Sequence, residues 1–347
     1  MLELLGKVYG VSRFLSGESL RVAVVGLGKM GLLHASILNV LPNVEIVAFC
    51  EKSRLLRKFL KNIFDGIRVL DDVEKLSDLG LDAIYITTPI PAHFLVAKTV
   101  YLEKIARNLF VEKTLARSHE EAEELCELAD SFGGVNMVGY LRRFGVAFRK
   151  AKDLLAEDAI GKVSSFRAYA YSSDLLGSEK GSRALSSRGG VLGDLGCHAI
   201  DLALWFFGGF QVDSAELTSS NKDGSEDSAH FRARNSSGLE AEFNVSWCME
   251  NYRMAEVGFS ISGSKGFLEV NDDKLELRLK AGESFTWYRH DLQDNVPFSL
   301  GLPEYYREDL HFVESVWDGC SAEPSFYAAS KVDKIIGQVV QRAGESE

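Results

Sequence analysis

No run of apolar residues in this 347-residue chain reaches the roughly 18 that a membrane span needs. The amino-terminal segment has no charged start, long apolar stretch and small-residue cleavage site, so no secretory signal is expected and a cytoplasmic location is. Cysteine is scarce and scattered. Cys50, Cys126, Cys197, Cys248 and Cys320 form no pair at the C-x-x-C spacing of zinc or redox sites, which points to reduced thiols and no metal centre of that kind. Basic charge is short as well: 39 Lys and Arg against 50 Asp and Glu leave a formal charge of -11. No lysine or arginine run is interleaved with aromatics. Neutralising phosphates needs a basic surface, so neither nucleic acid nor a membrane is an expected partner. There is no internal repeat and no low-complexity tract. What remains is 46% hydrophobic and 26% charged, the make-up of a soluble globular chain long enough for two domains or one large one.

The most organised stretch is Val22-Ala23-Val24-Val25-Gly26-Leu27-Gly28-Lys29-Met30-Gly31, after which Leu32, Leu33, Ala35, Ile37 and Leu38 follow at helical spacing. It reads as a buried strand, a Gly-x-Gly-x-x-Gly turn and a helix start. For a dinucleotide site each glycine has its own task. Gly26 turns the strand, Gly28 leaves no side chain between backbone and pyrophosphate, and Gly31 lets the helix pack close. The pyrophosphate would sit on the helix's unpaired N-H groups. Glycine turns also arise for packing alone, so the context decides.

A second apolar run, Val44 to Cys50, ends at Glu51, about 20 residues after the last glycine as the fingerprint requires. A carboxylate there accepts from ribose hydroxyls and repels a 2′-phosphate, which favours NAD. Lys52, Ser53 and Arg54 could reach a phosphate and leave NADP open, and Glu51 as a cap for the next helix is the plain structural alternative.

Helix and strand patterns continue to alternate, which argues for a parallel sheet covered on both faces. Leu55 to Ile63 suggests a helix and Ile67 to Leu70 a short strand; Asp82 to Pro89 is a further strand. Ligands gather beyond the carboxyl ends of such strands, which brings Thr87, Thr88, Pro89 and His93 near the dinucleotide. Asn108 to Lys113 is the next strand and delivers Glu112 and Lys113 to the same edge. A helix from about Ser118 to Phe132 carries a Ser118/Glu121 capping box, and Val135 to Tyr140 is the last strand of this half.

From Arg142 the texture changes. After a connecting helix ending near Gly161, strands dominate: Val163 to Ser172, Val212 to Thr218, Ser228 to Arg234, Leu239 to Trp247 and Phe267 to Val270. Alternation such as Glu240-Ala241-Glu242-Phe243-Asn244-Val245 means one buried and one polar face, typical of an antiparallel sheet. Ser172 to Gly190 reads as a Ser- and Gly-rich loop. Tyr305 to Val316 and Ala328 to Val340 read as terminal helices that return to brace the two halves. Residues 1–19, with Leu4, Leu5, Val8, Val11 and Leu15 near one helical face, read as an added packing arm. The expected division is thus a 1–19 arm, a 20–141 dinucleotide-binding domain and a 142–347 substrate domain.

Between the loop and the next strand, Asp194, His198 and Asp201 are spaced i, i+4, i+7, one polar stripe on an otherwise apolar helix. Three readings compete. The two carboxylates satisfy a core histidine; the three converge on a metal, although no second histidine cluster accompanies them; or His198 is an acid/base whose tautomer a carboxylate fixes.

Taken together, the chain from Leu20 onward resembles the Gfo/Idh/MocA family of glucose-fructose oxidoreductase and inositol dehydrogenase. The motifs are Gly26-x-Gly28-x-x-Gly31 with His34-Ala35, Thr88-Pro89 with His93, Glu112-Lys113, Arg142-Arg143-Phe144, Gly189-Gly190 with Asp194-x-Gly196-x-His198-x-x-Asp201, and Ile261 to Gly266. Where the family has Glu-Lys-Pro, Thr114 follows Lys113 here, removing a fixed turn beside that amine. The resemblance implies an α/β fold: a Rossmann domain, then an α/β domain whose open, mainly antiparallel sheet often forms a homo-oligomer interface. It also implies catalytic parts at Lys113, Asp194 and His198.

Cofactor contacts are then expected from Gly26, Gly28, Lys29, Met30, Gly31, Glu51, Thr88, Pro89, His93 and Glu112, for NAD with NADP possible. The expected reaction moves a hydride between nicotinamide and a secondary alcohol of a sugar, cyclitol or sugar derivative. It assigns His198 to acid/base work, Lys113 to polarising the oxygen, and Asp194 to orienting substrate hydroxyls and the imidazole. Carboxylates and amines suit a small polyhydroxylated ligand. Arg142, Arg143, Tyr171 and Trp247 are candidates for the pocket wall. The alternatives are a non-catalytic dinucleotide-sensing regulator of the same fold, and a redox-assisted lyase or glycosidase that recycles its cofactor.

Overall fold

A computed structural model describes residues 19–175, 188–219 and 226–345. Six strands, β1 (Leu20–Val25), β2 (Val44–Cys50), β3 (Arg68–Leu70), β4 (Ala83–Ile86), β5 (Asn108–Glu112) and β6 (Asn136–Gly139), form a sheet in the order β3-β2-β1-β4-β5-β6. Every pairing in it is parallel. The connecting helices are α1 (Lys29–Leu38), α2 (Arg54–Ile63), α3 (Ile90–Leu102) and α4 (His119–Phe132), with a 3-10 turn at Glu74–Leu79 before β4. Strands buried on both faces need continuous apolar sequence, as Ala83 to Ile86 and Asn108 to Glu112 show by being buried throughout. Alternate residues feed two cores. Ala23, Val25, Ile84 and Val111 join one, whereas Val22, Val24, Tyr85 and Phe110 join the other. The strand order reverses between β1 and β4, the switch point beyond whose carboxyl ends sheets of this kind bind their ligands.

The second sheet has eight strands: β7 (Val163–Tyr171), β8 (Gln211–Thr218), β9 (Ser228–Arg234), β10 (Glu240–Ser246), β11 (Glu256–Gly263), β12 (Gly266–Asn271), β13 (Lys274–Leu279) and β14 (Ser284–Tyr288). Their order is β14-β13-β12-β11-β7-β10-β9-β8. Only β7 and β10 run parallel; every other pair is antiparallel, so the sheet is mainly antiparallel. Three of these strands were not read from the sequence. Gly258 interrupts the pattern of β11, because a Cβ there would lie 2.5 Å from the Tyr169 ring on the neighbouring strand. β14, paired only with β13, is an edge strand and exposes most of its residues, which blurs the two-residue period.

Helices α5 (Val146–Ala156), α6 (Cys197–Phe207) and α8 (Phe326–Gly344) pack on this sheet. α8 also packs on α4, and α7 (Pro303–Asp318) packs on α1, so both terminal helices touch the first half. The 1–19 arm, save its last residue, and most of the Ser172–Gly190 loop lie outside the described residues.

Candidate active site

The strand-to-helix turn after β1 is built almost entirely from backbone. Gly26 has φ +90°, the left-handed region that favours glycine, and a Cβ there would meet Thr88 at 2.8 Å. At Gly31 a Cβ would lie 2.0 Å from the Gly26 carbonyl oxygen, so helix and turn approach each other only through glycine. Gly28 is different: a Cβ would meet nothing within 4 Å. It opens on free space at the start of α1, where no side chain caps the N-terminus and the first turn carries no acidic residue. Lys29 is exposed and Met30 half-buried on that turn.

Neighbouring strands hold the turn. The Gly26 N-H donates to the Cys50 carbonyl at 2.8 Å, and the Thr87 hydroxyl donates to the Gly26 carbonyl at 2.7 Å. Glu51 accepts from the Leu27 N-H at 2.8 Å and from the Ser53 N-H at 2.7 Å. The cap of α2 is Ser53, whose hydroxyl accepts from the Leu56 N-H. Glu51 therefore ties the glycine turn to the end of β2. Each of its oxygens keeps a further lone pair. The Thr88 hydroxyl is buried without a partner, and Pro89 is exposed at the start of α3. An uncapped helix start, open space over Gly28, a carboxylate with spare lone pairs and an orphaned hydroxyl fit the diphosphate and ribose of a dinucleotide.

His93 and Glu112, expected among the cofactor contacts, are enclosed side chains with partners inside the protein. His93 is fully buried, with Nδ1 2.7 Å from the Thr114 carbonyl oxygen and Nε2 2.7 Å from that of Thr88. Glu112 is buried too, with Oε1 3.0 Å from His34 Nε2 and Oε2 accepting from the Lys113 N-H at 3.0 Å. Both brace neighbouring segments through buried hydrogen bonds. The Lys113-Thr114 peptide, where the family proline is replaced, is cis.

Lys113 crosses to the second half. Its ammonium donates to the Asp194 main-chain oxygen at 2.5 Å and to Asp194 Oδ1 at 2.9 Å. Burial opposes charge on this amine, but Asp194 outweighs it, so the Lys113 pKa lies above the ordinary lysine value. Burial likewise opposes charge on Asp194, and Lys113 with Arg188 outweighs it, holding the carboxyl below its usual range. Arg188, 3.3 Å from Asp194 Oδ2 and from Asp174 Oδ2, had no signal in the sequence, since it stands in a Ser- and Gly-rich stretch at no helical spacing.

Asp194 sits in a π-helical turn, Leu192–Gly196, that runs into α6, so the stripe read from the sequence does not become one bonded group. Asp201 is taken by Arg143, with contacts of 2.6, 2.9 and 3.0 Å between buried side chains. Neither carboxylate is bonded to His198, whose Nδ1 is buried without a partner. Both the satisfied core histidine and a metal shared by these three residues are therefore set aside, and so is the idea that Asp194 orients the imidazole. Burial first, then the charges of Arg142 and Lys113, drives the His198 pKa well below its ordinary value. Burial and these charges favour the neutral ring.

Of the wall candidates, Arg143 is committed to Asp201, and Trp247 is 1% exposed in the core. Tyr171 stacks on Tyr169 with centroids 5.0 Å apart. Arg142 is bound to Asp272 at 3.0 Å, with its charge felt at His198. Gly190, at φ +72°, lies against Glu226, whose Oε1 accepts from the Leu192 N-H at 3.3 Å and anchors the start of the π turn.

A parallel Rossmann-type sheet with an open glycine turn, joined through the Lys113-Asp194 pair to a second, mainly antiparallel sheet domain, is the layout of a dinucleotide-binding oxidoreductase. Residues 20–140 match the family model described as "Oxidoreductase family, NAD-binding Rossmann fold", and residues 148–269 match the GFO/IDH/MocA C-terminal domain. Together the two matches cover more than half of the sequence, and the chain belongs to the Gfo/Idh/MocA family of NAD-binding oxidoreductases. It is 28% identical over 206 residues to scyllo-inositol 2-dehydrogenase (NAD(+)) of Bacillus subtilis, 58% of this chain and 56% of that one. It is 26% identical to 1,5-anhydro-D-fructose reductase of Ensifer adhaerens, over 58% of this chain and 61% of the relative. Each of these matches thus spans little more than half of the relative. Levoglucosan dehydrogenase, solved with NADH and L-sorbose, shares the fold with a TM-score of 0.84 at 21% identity, over 95% of this chain and 98% of that one.

Proposed function

We propose that this oxidoreductase moves a hydride between NAD and a secondary hydroxyl or ketone of a sugar, cyclitol or sugar derivative. One observation carries the reading: the Lys113 ammonium is held by Asp194 at 2.9 Å, whereas the buried His198 has no partner on Nδ1 and burial with nearby positive charge pushes its pKa down. Oxidising a secondary alcohol needs just that opposition. The neutral imidazole takes the hydroxyl proton, and returns it in the reverse direction. The ammonium stabilises negative charge as it grows on the oxygen. Bound NAD supplies the acceptor for the hydrogen and electron pair that leave carbon. Asp194 holds the ammonium and offers acceptor positions for neighbouring hydroxyls, as a polyhydroxylated substrate needs. The relatives named for inositol and anhydro-fructose chemistry support this substrate class.

The same reading includes cofactor contacts from Gly26, Gly28, Lys29, Met30, Gly31, Glu51, Thr88 and Pro89, and a preference for NAD over NADP through the Glu51 carboxylate. It divides the chain at about residue 141, where the parallel sheet ends. The second sheet's polar face has a hollow of about 600 Å³ bordered by Arg167, Arg232, Glu240 and Ser262. That open face supports a homo-oligomer through it, which light scattering tests. All five cysteines are free, consistent with a cytoplasmic setting. Among the described residues no helix is long and apolar enough to cross a membrane.

The test is nicotinamide absorbance against a panel of polyols and sugars. Lys113→Ala and His198→Ala are each expected to lower kcat by about 100-fold or more while NAD still binds. Unchanged turnover in both variants would remove the assignment.

A further inference from the structure

Two buried histidines flank the segment Glu112-Lys113-Thr114, and the reaction above uses neither. His34, one turn after Gly31 on α1, has Nε2 3.0 Å from Glu112 Oε1 and Nδ1 2.8 Å from Asp309 Oδ1 on α7. His93 on α3 joins the Thr114 carbonyl through Nδ1 to the Thr88 carbonyl through Nε2. Each ring thus ties a neighbour of Lys113 to another part of the cofactor half. On one side the link starts from the helix that begins at the glycine turn, and on the other from Thr88. The Glu112 carboxylate continues the first link to Lys113 itself, by accepting from its N-H.

Stability is a poor explanation for such an arrangement. A buried ionic group recovers its desolvation cost only with near-ideal partners, and well-packed apolar side chains of similar volume often do better. The groups facing His34 are Asp309, Glu308 and Tyr305 from α7, Glu112 from β5 and Tyr85 from β4. Burial opposes its charge, yet Asp309 and Glu112 raise its pKa well above the ordinary value. Around His93 the near charges are Glu112 and Lys113, and burial lowers its pKa. A neutral His93 has one N-H for two carbonyls, so it donates to one and only faces the other.

We propose that His34 and His93 are positioning residues that set the Lys113 amine from the two segments that hold the cofactor, His34 by orienting Glu112 and His93 by donating to the Thr114 carbonyl. This rests on the reading of Lys113 as a catalytic group. Displacements of about 1 Å at a reacting group cost up to about 100-fold in rate, so a support that fixes one amine has a measurable effect on kcat.

Asparagine's amide nitrogen reaches about as far as Nδ1 and glutamine's about as far as Nε2, and this separates the links. His34→Gln keeps the donor toward Glu112 and His93→Asn keeps the donor toward Thr114; both are expected to hold kcat within about threefold of the parent. His34→Asn and His93→Gln lose those donors, and kcat is expected to fall about tenfold or more with the NAD dissociation constant within about threefold. A purely structural role would lower all four alike, and that result overturns the proposal, as does a loss confined to cofactor affinity. Lys113→Ala, run alongside, separates the two failures. If it is inactive while all four histidine variants turn over normally, this inference fails alone; if it is fully active, the reading of the site falls with it. Should a variant not accumulate as folded protein, ring-nitrogen NMR of the full wild-type chain decides. At neutral pH, protons on both nitrogens of His34 and on Nδ1 of His93 support the proposal; a neutral His34, or a His93 proton on Nε2, overturns it.

Discussion

The glycine turn and the group Lys113, Asp194 and His198 are made in opposite ways. The turn is main chain: its residues are chosen for what they lack, and its fit depends on a φ of +90° at Gly26 and a 2.0 Å approach at Gly31. That group consists of side chains drawn from the residue after β5, a π turn and α6, and its properties are electrostatic. A backbone site tolerates little change in shape but is indifferent to pH. A side-chain site tolerates small shifts in shape, yet its proton occupancy is set by every neighbouring charge.

Removing a partner in the side-chain half is expected to have the largest consequence. Asp201→Ala leaves the buried Arg143 guanidinium facing an apolar gap, and a loss of about 3–5 kcal/mol in denaturant unfolding is expected. A loss under about 1 kcal/mol would mean that solvent reaches Arg143 and that the pair is peripheral.

In the backbone half the sharper contrast lies between two glycines. Gly31→Ala must push the turn open, costing about 1–3 kcal/mol of stability together with NAD binding. Gly28→Ala meets nothing within 4 Å, so thermal unfolding is expected to stay within about 0.5 kcal/mol of the parent while calorimetric NAD affinity drops. Equal destabilisation by the two would contradict the different tasks given to them.

The smallest effect is a titration. Because the Asp194 pKa is lowered in the folded chain, its contribution is present above the unfolded value of about 3.9 and is lost as pH falls through the folded one. The stability gap between the parent and Asp194→Asn, about 1 kcal/mol, should therefore hold from neutral pH to pH of about 5 and close only in stronger acid. A gap that closes near neutrality would assign the titration to another group.

These halves were also unequally legible in the sequence. Gly26, Gly28 and Gly31 could be read because backbone geometry dictates the residue locally, and Glu51 followed from a fixed spacing. The parallel strands announced themselves as apolar runs. Lys113 and Asp194 carried no such local sign of being partners. Their ion pair joins positions far apart in the chain, and helical spacing suggested that Asp194 and Asp201 served His198, whereas tertiary packing gives them to Lys113 and Arg143. The π turn at Leu192–Gly196 also shifts the register on which that stripe relied. Arg188 and Asp309 gave no signal, since a partner supplied by a distant loop or a returning helix leaves no periodicity beside the residue it serves.

The contact between Asp309 and His34 has a bearing on how the protein is made. All six strands of the parallel sheet are translated well before α7. Until then the imidazole of α1 has one acidic neighbour in place of two, and the Phe312 and Val313 side of that sheet's core is missing. The core of the nucleotide-binding half is therefore completed by a helix that follows the whole second sheet in the chain.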